Sequence, residues 1–280
     1  MGNPSSNCIQ KPIKRSWLRL VLGKEYYILR RRLKWLGEQK LSVEIQRERL
    51  DFEVFHHQSL ILRPLKDVEM YLQQNKRKNL EIAISKLDGI LIKPGETMSF
   101  WKLVCRPTKA KGYLEGLVLK QGKAEKDTGG GLCQLGNLLF WISAHSPLTI
   151  KERHRHGFDV FPDVNRKVPF GAGATLSYNH IDFQVKNETE FTFQFKLWLD
   201  ETHLHGSINS DIECFETYSI EERNHIMKQQ FWGGYSRHNQ IFQIVKHQDG
   251  YESERMLVEN HAIMMYNPFL ESYNITSTRI

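Results

Sequence analysis

Residues 129–150, GGGLCQLGNLLFWISAHSPLTI, decide how the middle of this 280-residue chain folds. Four apolar residues after the glycines recur at the spacing of one helix face: Leu135, Leu138, Leu139 and Ile142. Proline disfavours helix at the residue before it, so the helix is expected to stop near Ser146-Pro147. The stretch therefore predicts a largely buried helix over residues 133–145, which begins directly after a loop of three glycines.

Beyond Pro147 the spacing of the apolar residues changes from helical to alternating. One face would carry Leu148, Ile150, His154, His156, Phe158 and Val160. The other face would carry Lys151, Arg153 and Arg155. This alternation predicts a strand over residues 148–160 beside the N-terminal end of the helix, with both histidines pointing inward.

The remaining patterns complete an α+β fold, with N-terminal helices, a central cysteine-bearing helix against an antiparallel sheet, and a strand-rich C-terminal part. The predicted elements are a helix from Asn79 that ends at Asp88-Gly89, strands at residues 90–92, 191–199 and 203–205, and a hairpin of residues 239–247 and 252–259. We divide the chain into a basic helical region (1–78), a core domain (79–210) and a β-rich extension (211–280).

The chain is basic, with a net charge of +7 and a pI of about 9.1. Such a balance suits an anionic small molecule, an anionic membrane surface or nucleic acid. The basic residues are scattered and no nucleic-acid-binding motif accompanies them, so nucleic acid is not expected as a partner. Residues 13–36 predict an amphipathic helix, which either packs on the domain with its cationic face in water or lies on an anionic membrane. We favour packing on the domain.

The four cysteines are far apart in sequence: Cys8, Cys105, Cys133 and Cys214. No C-x-x-C or C-x-x-H spacing occurs, so a zinc site is not expected. A chain that builds its own core does not need a disulfide framework. We expect free thiols in a reducing compartment, no metal and no cofactor.

The sequence carries weak targeting signals. No apolar run approaches the roughly 18 to 20 residues of a membrane helix, and basic residues interrupt every candidate signal-peptide core. The first six residues, MGNPSS, fit a myristoylation pattern loosely. These observations predict a cytoplasmic protein, with peripheral contact to the inner face of the membrane through residues 13–36.

Cys133 is expected at the first turn of the buried helix, where unpaired backbone N–H groups carry partial positive charge. Such a position lowers a thiol pKa and can hold a developing oxyanion. The glycines that would let a substrate approach are Gly129, Gly130 and Gly131, and Gln134 is a further substrate-binding candidate. The alternative that stays open is a tight turn before a core helix, with Cys133 a small buried apolar residue.

A histidine on the following strand would complete a nucleophile–base pair. Residues two apart on a strand lie about 6 to 7 Å apart, so only one histidine can serve Cys133, and we prefer His156 to His154. Asp182 is the first candidate for the group that orients the imidazole. In the alternative, the histidines bond only to backbone carbonyls.

Six short motifs resemble, in their order, those of the VanW family. They are Pro94–Trp101 (PGETMSFW), Gly112–Gly116 (GYLEG), Gly129–Leu135 (GGGLCQL), Glu152–His156 (ERHRH), Phe161–Asp163 (FPD) and Pro169–Thr175 (PFGAGAT). The resemblance is dense over about residues 79–190 and thin toward both ends. It implies a role in vancomycin resistance or in related functions of the cell envelope, but it does not imply a particular reaction.

Two functional hypotheses follow. In the first, the chain is a cysteine-dependent amidase or acyl transferase acting on a peptide or muropeptide, since the order cysteine, histidine, aspartate also resembles transglutaminase-like and papain-like enzymes. In the second, it is a non-catalytic accessory protein. Arg153 and Arg155, with Arg166 nearby, would then bind an anionic wall precursor or a partner enzyme.

Overall fold

A computed structural model describes residues 16–37, 40–41, 43–62, 69–120, 122–160, 168–178 and 181–268. The helices are α1 (Trp17–Gly37), α2 (Met70–Leu87), α3 (Phe100–Val104) and α4 (Cys133–Ala144). The strands are β1 (Phe52–Leu60), β2 (Leu91–Ile92), β3 (Thr97–Ser99), β4 (Glu115–Lys120), β5 (Lys123–Thr128), β6 (Thr149–Glu152), β7 (Phe158–Asp159), β8 (Gln184–Lys186), β9 (Phe193–Leu199), β10 (His203–Ser210), β11 (Thr217–Gln229), β12 (Tyr235–Lys246) and β13 (Glu252–Met264). The MGNPSS start, Cys8, the FPD motif and Arg166 lie outside the described residues.

The strands form mainly antiparallel sheets, and the predicted α+β class is confirmed. One sheet has the order β1-β10-β9-β2 and a second has the order β11-β12-β13-β7. A small sheet joins β3, β8 and β6, and β4 pairs with β5. Within these sheets, β7 runs parallel to β13 and the other pairs are antiparallel.

Helix α4 is the buried centre of the fold, as predicted. It packs on the sheet of β1 and β10, where a Cβ at Gly206 would lie only 2.9 Å from Leu138. Glycine at this strand position lets the helix approach the sheet closely. The first turn of α4 is also tied to β1, because Gln134 donates to the Ser59 hydroxyl at 2.9 Å. The predicted packing of the cysteine-bearing helix against an antiparallel sheet is therefore confirmed.

The β12–β13 hairpin is confirmed, with its turn between His247 and Tyr251. It packs against the end of α4, where Gln243 donates to the carbonyls of Ala144 and Ser146 at 2.7 and 3.1 Å. The first bond satisfies a carbonyl that the helix leaves unpaired at its C-terminus.

Helix α2 begins earlier than the sequence pattern suggested but ends where predicted, at Asp88 and Gly89. Gly89 has a φ of 85°, a conformation that glycine adopts without strain. The division into three regions stays a prediction; its boundary at 78/79 falls inside α2, and the region 1–78 contains a strand, β1, that we did not predict.

The prediction of a continuous strand over residues 148–160 is wrong. The chain forms β6, leaves the sheet after Glu152, and pairs again only in β7. The ladder between β6 and β8 shifts register between Ile150 and Glu152, and such a bulge breaks the alternation of faces. His154 is consequently exposed, whereas His156 is half-buried.

Helix α1 docks on the core through one face. Ile28 and Trp35 are buried, and Arg31 forms a two-bond ion pair with Glu152, with one N···O distance of 2.7 Å. Burial by itself would raise the pKa of Glu152, but hydrogen bonds from His154 and Arg31 lower it to about 2. The predicted helix therefore does pack on the domain.

Within the described residues, no helix is both long and apolar enough to cross a membrane. The cytoplasmic location stays a prediction.

We expect the Arg31→Met variant to lose about 1 to 3 kcal/mol of unfolding free energy at pH 7, because a largely buried carboxylate loses its two-bond partner and keeps only the longer contacts to His154 and Lys34. The native pair should lose its contribution as the pH falls from about 4.5 toward 2, since the pKa of Glu152 is depressed in the folded state. The variant should therefore lose less stability over that window. Urea unfolding at a series of pH values measures both effects.

Arg30→Met, at an exposed neighbouring position, is the matched control and should unfold like the wild type. Equal pH dependence in Arg31→Met and in the wild type would show that the ion pair does not hold α1.

Candidate functional site

The three glycines before Cys133 are required by backbone packing. A Cβ at Gly130 would lie 2.1 Å from the carbonyl carbon of Gly116, and a Cβ at Gly116 would lie 2.5 Å from the oxygen of Gly130. Gly129 and Gly131 have φ values of 80° and 95°, which other residues rarely adopt. We expected the glycines to leave room for a substrate, and at Gly130 the space that a side chain would take is occupied by the start of β4.

A buried asparagine on α2 holds this contact in place. Asn79 donates to the carbonyls of Gly130 and Leu114 at 2.9 and 3.0 Å, and its side-chain oxygen accepts from the N–H of Leu114 at 2.8 Å. We expected Asn79 only as the first residue of a helix and not as a support of the glycine loop. The sequence did carry a sign that Asn79 is buried, because Asn79, Ala83 and Leu87 follow one another at helical spacing. In the structure all three are buried.

Cys133 is the first residue of α4, as predicted, but the surroundings of its thiol do not favour the thiolate. Its sulfur faces the carbonyl of Leu176 at 3.9 Å, a thiol–carbonyl hydrogen bond. Although the residue as a whole is half-buried, atoms crowd the sulfur, and this burial raises the pKa of the thiol. This direction is opposite to the lowering of the pKa that we expected, since burial outweighs the backbone hydrogen bonds of Leu176 and Cys133, which lower the pKa.

Residues 171–176 form the segment that lies between α4 and the ERHRH motif. Asn137 on α4 accepts from the N–H of Ala174 at 3.0 Å, and the N–H of Thr175 donates to the carbonyl of His154 at 2.8 Å. The hydroxyl of Thr175 accepts from the N–H of His156 at 3.0 Å. Cys133 and His156 are therefore bonded to adjacent residues of this segment.

The imidazole of His156 is held neutral, because burial and the charge of Arg155 lower its pKa to about 4. A neutral ring is the form that a general base needs. Among the described residues, however, neither Cys133 nor Asp182 is hydrogen-bonded to it. The structure thus brings Cys133 and His156 to one segment without joining them.

Asp182 is fully buried and supports α3. Its carboxylate accepts from the Ser99 hydroxyl at 2.6 Å, the N–H of Trp101 at 3.0 Å and the amide of Gln184 at 3.1 Å. Burial raises its pKa, and these hydrogen bonds partly oppose the rise. Asp182 precedes β8 and caps the start of α3, so its oxygens are already occupied by donors other than an imidazole.

The two candidate arginines are also used inside the fold. Arg153 donates to the carbonyl of Gly173 at 2.8 Å and to the side chain of Asn260 at 2.9 Å, and burial lowers its pKa to about 9. The guanidinium of Arg155 lies 4.8 Å from the ring centre of Phe170. We expected both arginines to face an anionic ligand. In the structure Arg153 contacts Gly173 and Asn260, and Arg155 contacts Phe170.

A different group of cations is exposed beside the glycine loop. Residues 102–111, KLVCRPTKAK, which we call the basic segment, carry Lys102, Arg106, Lys109 and Lys111 and no acidic residue. Pro107 of this segment packs on Gly129, since a Cβ there would lie 2.6 Å from it. Arg106 lies 6.0 Å from the ring centre of Tyr178, two residues beyond the partner of Cys133. The basic segment therefore borders the surroundings of Cys133.

No group of three or more histidine, cysteine, aspartate or glutamate side chains in the described part of the chain could hold a metal ion. Cys105, Cys133 and Cys214 are free thiols.

Residues 75–209 match the family model described as VanW-like protein. The match contains the glycine loop, Cys133, the ERHRH motif and Asp182. No solved structure matches the chain.

Two curated proteins are similar to this chain. Over 152 residues, or 54% of the chain, it is 42% identical to the vancomycin B-type resistance protein VanW of Enterococcus faecalis. Over 115 residues, or 41% of the chain, it is 30% identical to the uncharacterized protein YoaR of Bacillus subtilis. The chain spans 55% of the length of the first protein and 36% of the second.

The packing of the glycine loop makes a direct prediction. Gly130→Ala should lower the free energy of unfolding by about 3 kcal/mol, because its methyl group would overlap the backbone of Gly116. Gly157→Ala is the matched control, since a Cβ there meets nothing within 4 Å, and it should change stability by less than about 0.5 kcal/mol. Chemical denaturation compares the two. Equal stability of the two variants would mean that the loop is open enough to admit a ligand.

Proposed function

We propose that this chain, which belongs to the VanW family through residues 75–209, takes part in vancomycin resistance by binding an anionic cell-wall precursor without converting it. The similarity to a vancomycin resistance protein supports the physiological role. The contacts of the core domain support binding over catalysis.

The observation that carries the proposal is the position of the basic segment. The segment meets the glycine loop where Pro107 packs on Gly129, and its exposed cations Lys102, Arg106 and Lys111 have no acidic residue between them in sequence. Phosphates and carboxylates are the groups that such cations bind. Arg153 is taken up by internal hydrogen bonds, so we do not assign it a contact with the ligand.

The groups required for catalysis are used by the fold. A Cys–His–Asp mechanism needs a thiol bonded to the imidazole and a carboxylate bonded to its other nitrogen. Here the thiol faces Leu176, and the carboxylate of Asp182 is occupied by Ser99, Trp101 and Gln184. These bonds favour a structural role for both Cys133 and Asp182.

The second candidate function is acyl transfer by Cys133. It is favoured by the bonding of Cys133 and His156 to adjacent residues, and by the low pKa that keeps His156 unprotonated. The thiol would give its proton to the imidazole as sulfur attacks the acyl carbon; the C–N bond would then break, and the leaving amine would take that proton. An acceptor amine or water would next attack the thioester and release the thiol. This candidate requires the segment 174–176 to move when a substrate binds.

Calorimetric titration with a UDP-linked muramyl pentapeptide, a water-soluble anionic wall precursor, tests the proposal. We expect the wild type and Cys133→Ala to bind it equally well. The double variant Arg106→Gln, Lys111→Gln should bind at least about tenfold more weakly, because two charge-assisted hydrogen bonds are lost. The control pair Lys228→Gln, Lys246→Gln, which is exposed on the C-terminal sheet, should bind like the wild type.

Mass spectrometry of the titrated precursor completes the test. Recovery of intact precursor supports binding. Cleaved or transferred product that disappears in Cys133→Ala would establish the second candidate, and failure of the wild type to bind would overturn the proposal.

A further inference from the structure

Helix α1 presents a second apolar stripe that the domain does not cover. Its members recur at intervals of three and four residues: Leu18, Leu22, Tyr26, Leu29, Leu33 and Leu36. Their exposed fractions lie between 58% and 81%. With 3.6 residues per turn, the stripe is rotated by roughly 130° from the face of Ile28 and Trp35 that packs on the core. One helix therefore carries a buried apolar face and an exposed one.

The exposed stripe is bordered by cations on both sides. Arg19 and Arg30 follow one edge and Arg32 lies on the other, all three exposed and without an ion-pair partner in the described part of the chain. The helix contains six basic residues and a single acidic one, Glu25. This is the arrangement of helices that lie in the interface of a bilayer with anionic headgroups.

We propose that α1 binds an anionic phospholipid surface, with the stripe of Leu18, Leu22, Tyr26, Leu29, Leu33 and Leu36 buried among the lipids and the flanking arginines on the phosphates. The proposal concerns a surface outside the core domain and does not rest on the function proposed above. An anionic lipid surface would cover the exposed stripe, and its negative charge would complement the arginines that border the stripe.

A second copy of the chain fits this stripe less well. Residues 22, 26, 29, 33 and 36 do alternate at the four–three spacing of a coiled coil. The repeat nevertheless spans only about two heptads, because Arg19 would occupy the next seam position, whereas coiled coils sustain it over at least about three; Arg32 would also find no acidic partner on the other copy. An anionic surface neutralises the same residues.

The docking of α1 keeps the stripe turned outward. Arg31 lies between the two exposed arginines in sequence, yet it points to the domain and pairs with Glu152. The lipid-facing stripe and the docked face are therefore compatible, and α1 can rest on a membrane while it stays attached to the core.

Sedimentation of the full chain with lipid vesicles tests this inference. We expect the chain to pellet with phosphatidylglycerol vesicles and to remain in solution with phosphatidylcholine vesicles. Leu29→Ala combined with Leu33→Ala should weaken partitioning at least about tenfold, since both alanines keep the helix but remove buried apolar surface. Arg30→Gln combined with Arg32→Gln should weaken it by a similar factor, because each basic residue near the surface contributes roughly fivefold.

Phe231→Ala is the control, because Phe231 is an exposed aromatic residue far from α1 in sequence and should not affect partitioning. Binding that the leucine variants leave unchanged would overturn the proposal. So would equal binding to both kinds of vesicle, or a lipid-free dimer in sedimentation velocity that the same leucine variants dissolve.

Discussion

The fold of the core domain depends on one close backbone contact, between Gly116 at the start of β4 and Gly130 in the glycine loop. Neither position leaves room for a side chain, and the three hydrogen bonds of Asn79 fix the contact from α2. A buried amide with all these bonds made is stabilising, whereas losing one partner would leave a buried polar group unpaired. The contact sets where α4 begins, and hence where Cys133 lies.

The position of Cys133 brings two physical effects into opposition. Backbone hydrogen bonds of Cys133 and Leu176 favour a thiolate, and burial of the sulfur favours the neutral thiol. Burial prevails, and the thiol is bonded to the carbonyl of Leu176. A helix start after a glycine loop is therefore insufficient evidence for a reactive cysteine. The surroundings of the sulfur determine the pKa of the thiol, and here they include Leu176, which is distant from Cys133 in sequence.

The sequence predicted those elements whose pattern is local. The periodicity of α4 and the alternation on both sides of Gly250 were enough to place the helix and the β12–β13 hairpin. The path after Glu152 could not be predicted, because the bulge near Ile150 depends on pairing with β8, more than thirty residues away. For the same reason the partners of Asp182 were unforeseen, since Ser99 and Trp101 reach it from another part of the chain.

The pH dependence of alkylation at Cys133 tests most directly the claim that this site is built for packing and binding. Brief iodoacetamide pulses on the native chain, read by peptide mass spectrometry, would use the exposed Cys105 as an internal standard. We predict that Cys133 is labelled more slowly than Cys105, with a midpoint above the ordinary thiol value of about 8.5. Rapid labelling of Cys133 near pH 6 that is lost in His156→Ala would contradict the account and establish an activated nucleophile.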